Sequence, residues 1–374
     1  MNTLRILHTA DLHIGAECSY LGARSNERKF EILLTFEKIT DLCEERVVDL
    51  LLIAGDLFDS NHIDPSLISG VFNALNKLSH TRAVIALGNH DPLTADSPFV
   101  LNPLPQNVYL LDKEDSVITF DDLSCRVYGA SFDGVYNEGK AHFDLTPPAD
   151  DYLNLCLLHG ETRSDLAGNY RPITPEFVKK SGMDYIALGH IHTRSQVQYV
   201  GITAIAYCGC PEGQGFDESG EKGVYMGEIS KGNINLEFVP TAKRQHYRIE
   251  VDVTDVTDIA EKIKNAITET GTNYGAHYYR ITLTGKRRNE RIIEKEELLA
   301  RLSPLVAFIK IKDKTKAGID PYALAREKSL KGYFAALMLE KIEKAEKEDE
   351  KEKYINALEI GLRAFSEEVG YSED

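Results

Sequence analysis

At 374 residues, with 43% hydrophobic and 27% charged side chains, the chain has room for two or three domains and an ordinary globular composition, which excludes a collagen, a coiled-coil rod and a wholly disordered chain. Its formal net charge of −16 excludes a histone-like protein that coats nucleic acid through bulk charge, but not an enzyme whose bound cations dominate the field at one site. The longest apolar stretch, Val47 to Ala54, is interrupted by Asp49 and falls far short of the ~20 residues that span a bilayer.

The first apolar run, Leu4–Thr9, starts almost at the first residue and leaves no room for a cleavable apolar signal, so a cytoplasmic protein without membrane association is expected. It opens a pattern that recurs through the first two thirds of the chain: a short β-branched apolar run, then an abrupt cluster of Gly, Asp, Asn and His. The runs are Leu4–Thr9, Leu50–Ala54, Ala83–Leu87, Leu155–Leu158, Tyr185–Leu188 and Ile202–Tyr207. Helix-like stretches separate the first three: Glu27 to Glu45, with Phe30, Leu33, Leu34 and Ile39 on one face, and Pro65 to Leu78. Strand alternating with helix predicts an α/β layered domain whose ligands gather beyond the carboxyl ends of the strands. The six cysteines include no C-x-x-C pair, and Cys208 and Cys210 are read with the rest as small packed residues.

Five polar clusters follow those strands: Asp11-Leu-His13, Gly55-Asp56-Leu-Phe-Asp59, Gly88-Asn89-His90-Asp91, His159-Gly160-Glu161 and Gly189-His190-Ile-His192. A single Asp-x-His is a common hydrogen-bonded turn, but five clusters at successive strand ends point to one convergent site. Mixed carboxylate, amide-oxygen and imidazole donors favour Mn²⁺, Fe or Zn²⁺ over Ca²⁺ or Mg²⁺. Seven candidate ligands exceed the needs of one tetrahedral zinc. They suit two ions ~3.5 to 4 Å apart that share a carboxylate and clamp a phosphate for in-line attack by water.

In these motifs the chain resembles the calcineurin-like metallophosphoesterases, whose pattern D-x-H, G-D-x-x-D, G-N-H-D/E, H and G-H-x-H is met in full. The resemblance implies an α/β fold layered as an αββα sandwich, with Asp11, His13 and His192 on one metal, Asn89, His159 and His190 on the other, and Asp56 bridging. It also implies that His90 acts at the leaving-group oxygen or on the transition-state charge, oriented by Asp59, with Asp91 as a capping or supporting group. More narrowly, Leu7 to His13, Ile53 to Asp59, Tyr185 to His192, and Gly213-Gln-Gly215 followed by Glu218-x-Gly220-Glu-Lys-Gly223 are similar to DNA double-strand-break repair nucleases of the SbcD type, particularly the bacterial YhaO-like exonuclease group. One departure is Cys208-Gly-Cys210-Pro211-Glu212, where relatives have a Pro-Gly-Ser-type turn. The implied activity is a Mn²⁺-dependent DNA exo/endonuclease that serves DNA repair through a two-metal site. The alternatives are another binuclear phosphoesterase, acting on a phosphoprotein or cyclic nucleotide, and a non-catalytic protein that binds DNA ends.

From His246 the texture changes to strand Tyr247–Val253, helix Thr257–Glu269, strand Tyr278–Thr284, helix Glu294–Leu302 and strand Val306–Lys312, a small α+β domain. Between Ala276 and Lys316, eleven Lys and Arg stand against five Asp and Glu, and Arg287, Arg288 and Lys312 are candidate contacts to DNA phosphates. Asp320 as N-cap and Pro321 at the first helical position open the C-terminal helices. Their stripes are Leu330, Tyr333, Phe334, Leu337 and Met338, then Tyr354, Ile355, Leu358, Leu362 and Phe365, with the charged segment Glu340 to Lys353 between. The expected organisation is a nuclease domain at 1–243, a capping DNA-binding domain at 244–317, and helices at 318–374. The resemblance implies that these helices dock on the coiled coil of an SMC-like ATPase; self-pairing as a homodimer stays open.

Overall fold

The computed structural model describes residues 3–112, 116–136, 146–164, 168–287, 293–317 and 320–365. The chain divides into two compact units, Met1–Tyr247 with Ala276–Tyr278, and Arg248–Gly275 with Tyr279–Asp374. Among the described residues no helix is long and apolar enough to cross a membrane.

In the first unit the apolar runs become strands of two six-stranded sheets. Leu4–Thr9 lies inside the first sheet, parallel to Leu50–Ala54 on one side and antiparallel to Gly223–Ser230 on the other. Arg82–Ala86 and Val108–Leu110 continue the parallel series, and Asn233–Pro240 closes the opposite edge. In the second sheet Leu153–His159, Tyr185–Gly189 and Thr203–Tyr207 run parallel, with His159 opposite Gly189. Side chains alternate across each strand, so one set faces each way. Leu4, Ile6, Leu50, Leu52 and Val84 meet Leu155, Leu157, Tyr185 and Ala204 between the sheets. Leu7, Leu51, Ile53 and Ile85 turn outward beneath helices Ser25–Glu45 and Pro65–Asn76. Ile186, Leu188 and Ile205 cover the far side against Val178 of helix Pro175–Lys180. The layers are therefore helix, sheet, sheet, helix, as the resemblance implied, and strands buried on both faces explain the continuous apolar runs.

The first long helix departs from its expected stripe. Phe30 and Leu34 are half exposed, whereas Leu33 and Ile39 are buried as expected, and the buried face also takes in Arg28, Glu31, Ile32, Thr35, Phe36, Thr40 and Cys43. Arg28, Glu31 and Thr35 sit inward because they are paired there. Arg28, 1% exposed, donates to Glu31 at 3.1 Å, to Glu212 at 2.6 Å and to the carbonyl of Gly213 at 2.6 Å, and Thr35 donates to Glu212 at 2.9 Å.

Strands His246–Asp252, Tyr278–Thr284 and Phe308–Asp313, all but their residues 246, 247 and 278 in the second unit, form one sheet, with helices Ile259–Thr268 and Lys295–Leu302 between them in sequence. The C-terminal region differs from its expected start. Asp320 caps only the short helix Pro321–Leu324, accepting from the amides of Tyr322 and Ala323, and Ser329 caps a separate helix, Leu330–Lys344. Phe334, Ala335 and Met338 then pack on Leu358 and Leu362 of helix Glu348–Ala364, which leaves Leu330, Tyr333 and Leu337 exposed.

Candidate metal centre

Parallel strands deliver all their carboxyl ends to one edge, and the five clusters meet there across both sheets. The loops after the first two strands are tied together by main-chain bonds, Asp11 N to the Gly55 carbonyl at 3.0 Å and His13 N to the Asp56 carbonyl at 2.9 Å. Across the sheets, the amide of His190 donates to Asp11 Oδ1 at 2.9 Å. Close packing dictates the glycines: a Cβ on Gly88 would fall 2.2 Å from Asp56 Oδ1, and one on Gly55, at φ +87°, 2.4 Å from His159 Nδ1. Asp11, His13, Asp56 and His190 themselves hold positive φ of 54°, 47°, 50° and 97°, strain that is sustained where a site over-determines the backbone.

Donor atoms of Asp11, His13 and His192 lie within 4.8 Å of one another, as do those of Asp11, Asp56 and His159. Their hydrogen-bond roles test whether cations fit. His159 Nδ1 is 2.9 Å from the carbonyl of Ala54, an acceptor that takes its hydrogen. In the neutral ring the Nε2 lone pair then points at two further acceptors, Asn89 Oδ1 at 3.1 Å and Asp56 Oδ2 at 3.2 Å. His13 Nδ1 faces Asp59 Oδ1 at 3.2 Å and His192 Nδ1 faces the Glu218 carboxylate, so their Nε2 atoms oppose each other at 3.1 Å. Asp11 Oδ2 is buried with no hydrogen-bond partner among the described residues. Converging lone pairs require protons or cations between them, and these donors suit divalent metals.

Two expected site residues stand differently. His190 does not join those close groups; its ring lies edge-on to His159 at 5.2 Å and against Tyr170 at 4.8 Å between centroids. The Asp59 carboxylate, expected on His90, is closer to His13 Nδ1, at 3.2 Å, than to His90 Nδ1, at 4.0 Å. The main-chain carbonyl of Asp59 holds His90 Nδ1 instead, at 3.1 Å. Asp91 has more to do than a cap. Fully buried, it accepts from the amides of Asp56, Leu57, Phe58 and Gly88 at 2.7 to 3.2 Å, and so fixes the turns after the second and third strands.

Electrostatics distinguish the imidazoles. Burial and the neighbouring His159 lower His190 to about 4, which keeps it neutral. Burial also opposes a charge on His159, but the Asp56 carboxylate outweighs it and raises that pKa to about 9. A cation held by His159 Nε2 would therefore compete with that proton. From this group, the metal-free fold gains stability that is complete below about pH 6.5 and lost as the pH rises through about 9. Metal affinity has the opposite slope and should tighten up to about pH 9, with a proton released on binding. Calorimetric titration with Mn²⁺ in buffers of different ionisation enthalpy measures that proton; an affinity indifferent to pH would refute the competition.

The profile of the calcineurin-like phosphoesterases matches residues 4–194, just over half of the chain. The uncharacterized metallophosphoesterase YhaO of Bacillus subtilis is 30% identical over 280 residues, 69% of this chain and 65% of its own. The DNA double-strand break repair protein Mre11 of Methanopyrus kandleri is 26% identical over 265 residues, 63% of this chain and 56% of its own. The SbcD component of the nuclease SbcCD of Escherichia coli K12 is 26% identical over 277 residues, 63% and 67% respectively. The chain spans less than two thirds of the length of the first two. Because the profile runs through every strand end that feeds the converged donors, from Asp11 to His192, the chain belongs to the calcineurin-like phosphoesterase family.

Proposed function

We propose that this phosphoesterase is a Mn²⁺-dependent DNA nuclease that hydrolyses phosphodiester bonds in a two-metal site. The observation that carries the reading is the convergence of carboxylate and imidazole donors within 4.8 Å of one another, with Asp11 shared between the two groups and the Asn89 amide oxygen 3.1 Å from His159 Nε2. Two divalent cations held there supply Lewis acidity that activates water and offsets charge on phosphorus. His90 is the general acid of the proposal. Its ring is 45% exposed, edge-on to His13 at 4.6 Å between centroids, and the Asp59 carbonyl takes the Nδ1 hydrogen, which leaves Nε2 to carry the proton for a leaving oxygen.

DNA as substrate is supported by relatives named as a DNA repair protein and as part of a nuclease, and by the excess of Lys and Arg between Ala276 and Lys316. Strand Phe308–Asp313 buries Ile309 and Ile311 and turns Lys310 and Lys312 outward; Arg287 lies on the short strand Lys286–Arg287, and Arg288 is outside the described residues. The exposed Leu330, Tyr333 and Leu337 support a coiled-coil ATPase as partner, since an apolar helix face of this kind suits a helical groove.

Incubation of the purified chain with linear duplex DNA and, separately, with bis-p-nitrophenyl phosphate tests the reading. Cleavage of DNA, faster with Mn²⁺ than with Mg²⁺, is expected; hydrolysis of the small diester alone would return the chain to a phosphoesterase of other substrates. Reversing Arg287 and Lys312 to Glu should weaken duplex binding to a similar extent for all sequences and reduce the salt slope by about one for each DNA phosphate left without its cation. An unchanged slope in a filter-binding titration would remove these two residues from the interface.

A further inference from the structure

The loop that follows strand Thr203–Tyr207 contributes a carboxylate behind the site. Glu218 accepts from His192 Nδ1 with one oxygen, while the other accepts the Gln214 amide at 2.6 Å and lies 3.6 Å from the Cys210 thiol. The loop is anchored on both sides of that contact. Upstream, Arg28 donates to the Gly213 carbonyl at 2.6 Å; downstream, Lys222 Nζ donates to the His192 carbonyl at 2.9 Å. The Glu218 side chain is 16% exposed and meets His192 Nδ1 directly, so the acceptor it offers that nitrogen is largely shielded from water.

We infer that Glu218 is a positioning residue of the metal centre, which locks His192 in the Nδ1–H tautomer and so presents the Nε2 lone pair to the site. The inference rests on the reading of His192 as a metal ligand. A neutral imidazole with no such partner populates both tautomers, and the other one puts a hydrogen where the lone pair is needed, 3.1 Å from His13 Nε2. Cys210 also lies near His192 and Glu218, but the direct hydrogen bond of Glu218 to Nδ1 favours the role of acceptor over that of ligand to a third ion.

The test uses the full chain and two measurements: long-range ¹H–¹⁵N correlation of the His192 ring in metal-free protein, and calorimetric titration with Mn²⁺. Glu218→Ala should convert His192 to a tautomer mixture and weaken one of two Mn²⁺ equivalents by about 10- to 100-fold, the usual cost of losing a partner behind a metal-ligating histidine. Glu218→Gln, which keeps an acceptor, should retain the Nδ1–H tautomer and lose less affinity. If the alanine variant fails to fold, Glu218→Asp, charged but too short to reach Nδ1, carries the same expectation. A wild type that binds two Mn²⁺ beside a folded variant with equal affinity and an unchanged tautomer overturns this inference alone. A wild type that takes up no Mn²⁺ overturns the metal reading and this inference with it, as would a third equivalent that disappears in Cys210→Ser.

Discussion

His90→Ala should keep both metal equivalents and slow the chemical step by about 10²- to 10⁴-fold, the usual worth of a positioned general acid, whereas Asp56→Ala should lose metal altogether. The geometry separates the two. Asp56 Oδ2 is 3.2 Å from His159 Nε2 and 3.6 Å from His13 Nε2, so its removal deletes the anion shared between the donor groups. The His90 amide donates to Asp56 Oδ1 at 2.9 Å, and alanine retains that hydrogen bond. Metal content by mass spectrometry with single-turnover cleavage distinguishes the roles. If His90→Ala strips the metals, or cleaves as fast as the wild type, the assignment of ligand and acid fails.

Glu212→Ala should destabilise the first unit by about 3 to 5 kcal/mol, the usual cost of breaking a buried ion pair by removing one partner. Glu212 is fully buried, and besides Arg28 and Thr35 its carboxylate accepts the amides of Lys243 at 2.6 Å and Arg244 at 3.2 Å. Truncation therefore takes from buried Arg28 one of its two carboxylates, leaving Glu31, and removes the acceptor of three further donors at once. Urea unfolding followed by tyrosine fluorescence measures the loss; a midpoint within error of the wild type would mean that water replaces the carboxylate without cost, contrary to its burial.

The strands were legible because each is buried on both faces and ends in a polar cluster, so Leu4–Thr9 and Leu50–Ala54 begin and end where the sequence indicates. The same logic misassigned Phe30 and Leu34, because hydrophobic periodicity cannot register that Arg28 is neutralised by Glu212, 184 residues away. Asp91 was visible only as a residue beside a motif; its partners are the amides of residues 56 to 58, which the fold alone brings to it. Glu218 stood inside a quoted motif, but its contact with His192 depends on a loop path that spacing does not encode. Left-handed backbone at Asp11, His13, Asp56 and His190 is only weakly announced, since Asp and His tolerate it better than most residues but far less readily than glycine.

The pairing of the first strand governs how the protein can fold during synthesis. Leu4–Thr9 needs Gly223–Ser230 beside it, Leu4 opposite Ile229 and His8 opposite Tyr225. At ~5 to 20 residues per second, that partner leaves the ribosome roughly 10 to 45 s after the strand it must cover. Until then the nascent chain carries an apolar strand with one bare edge, a template for pairing with the wrong neighbour. The catalytic unit thus pays for its central strand with long-range contacts and slow closure.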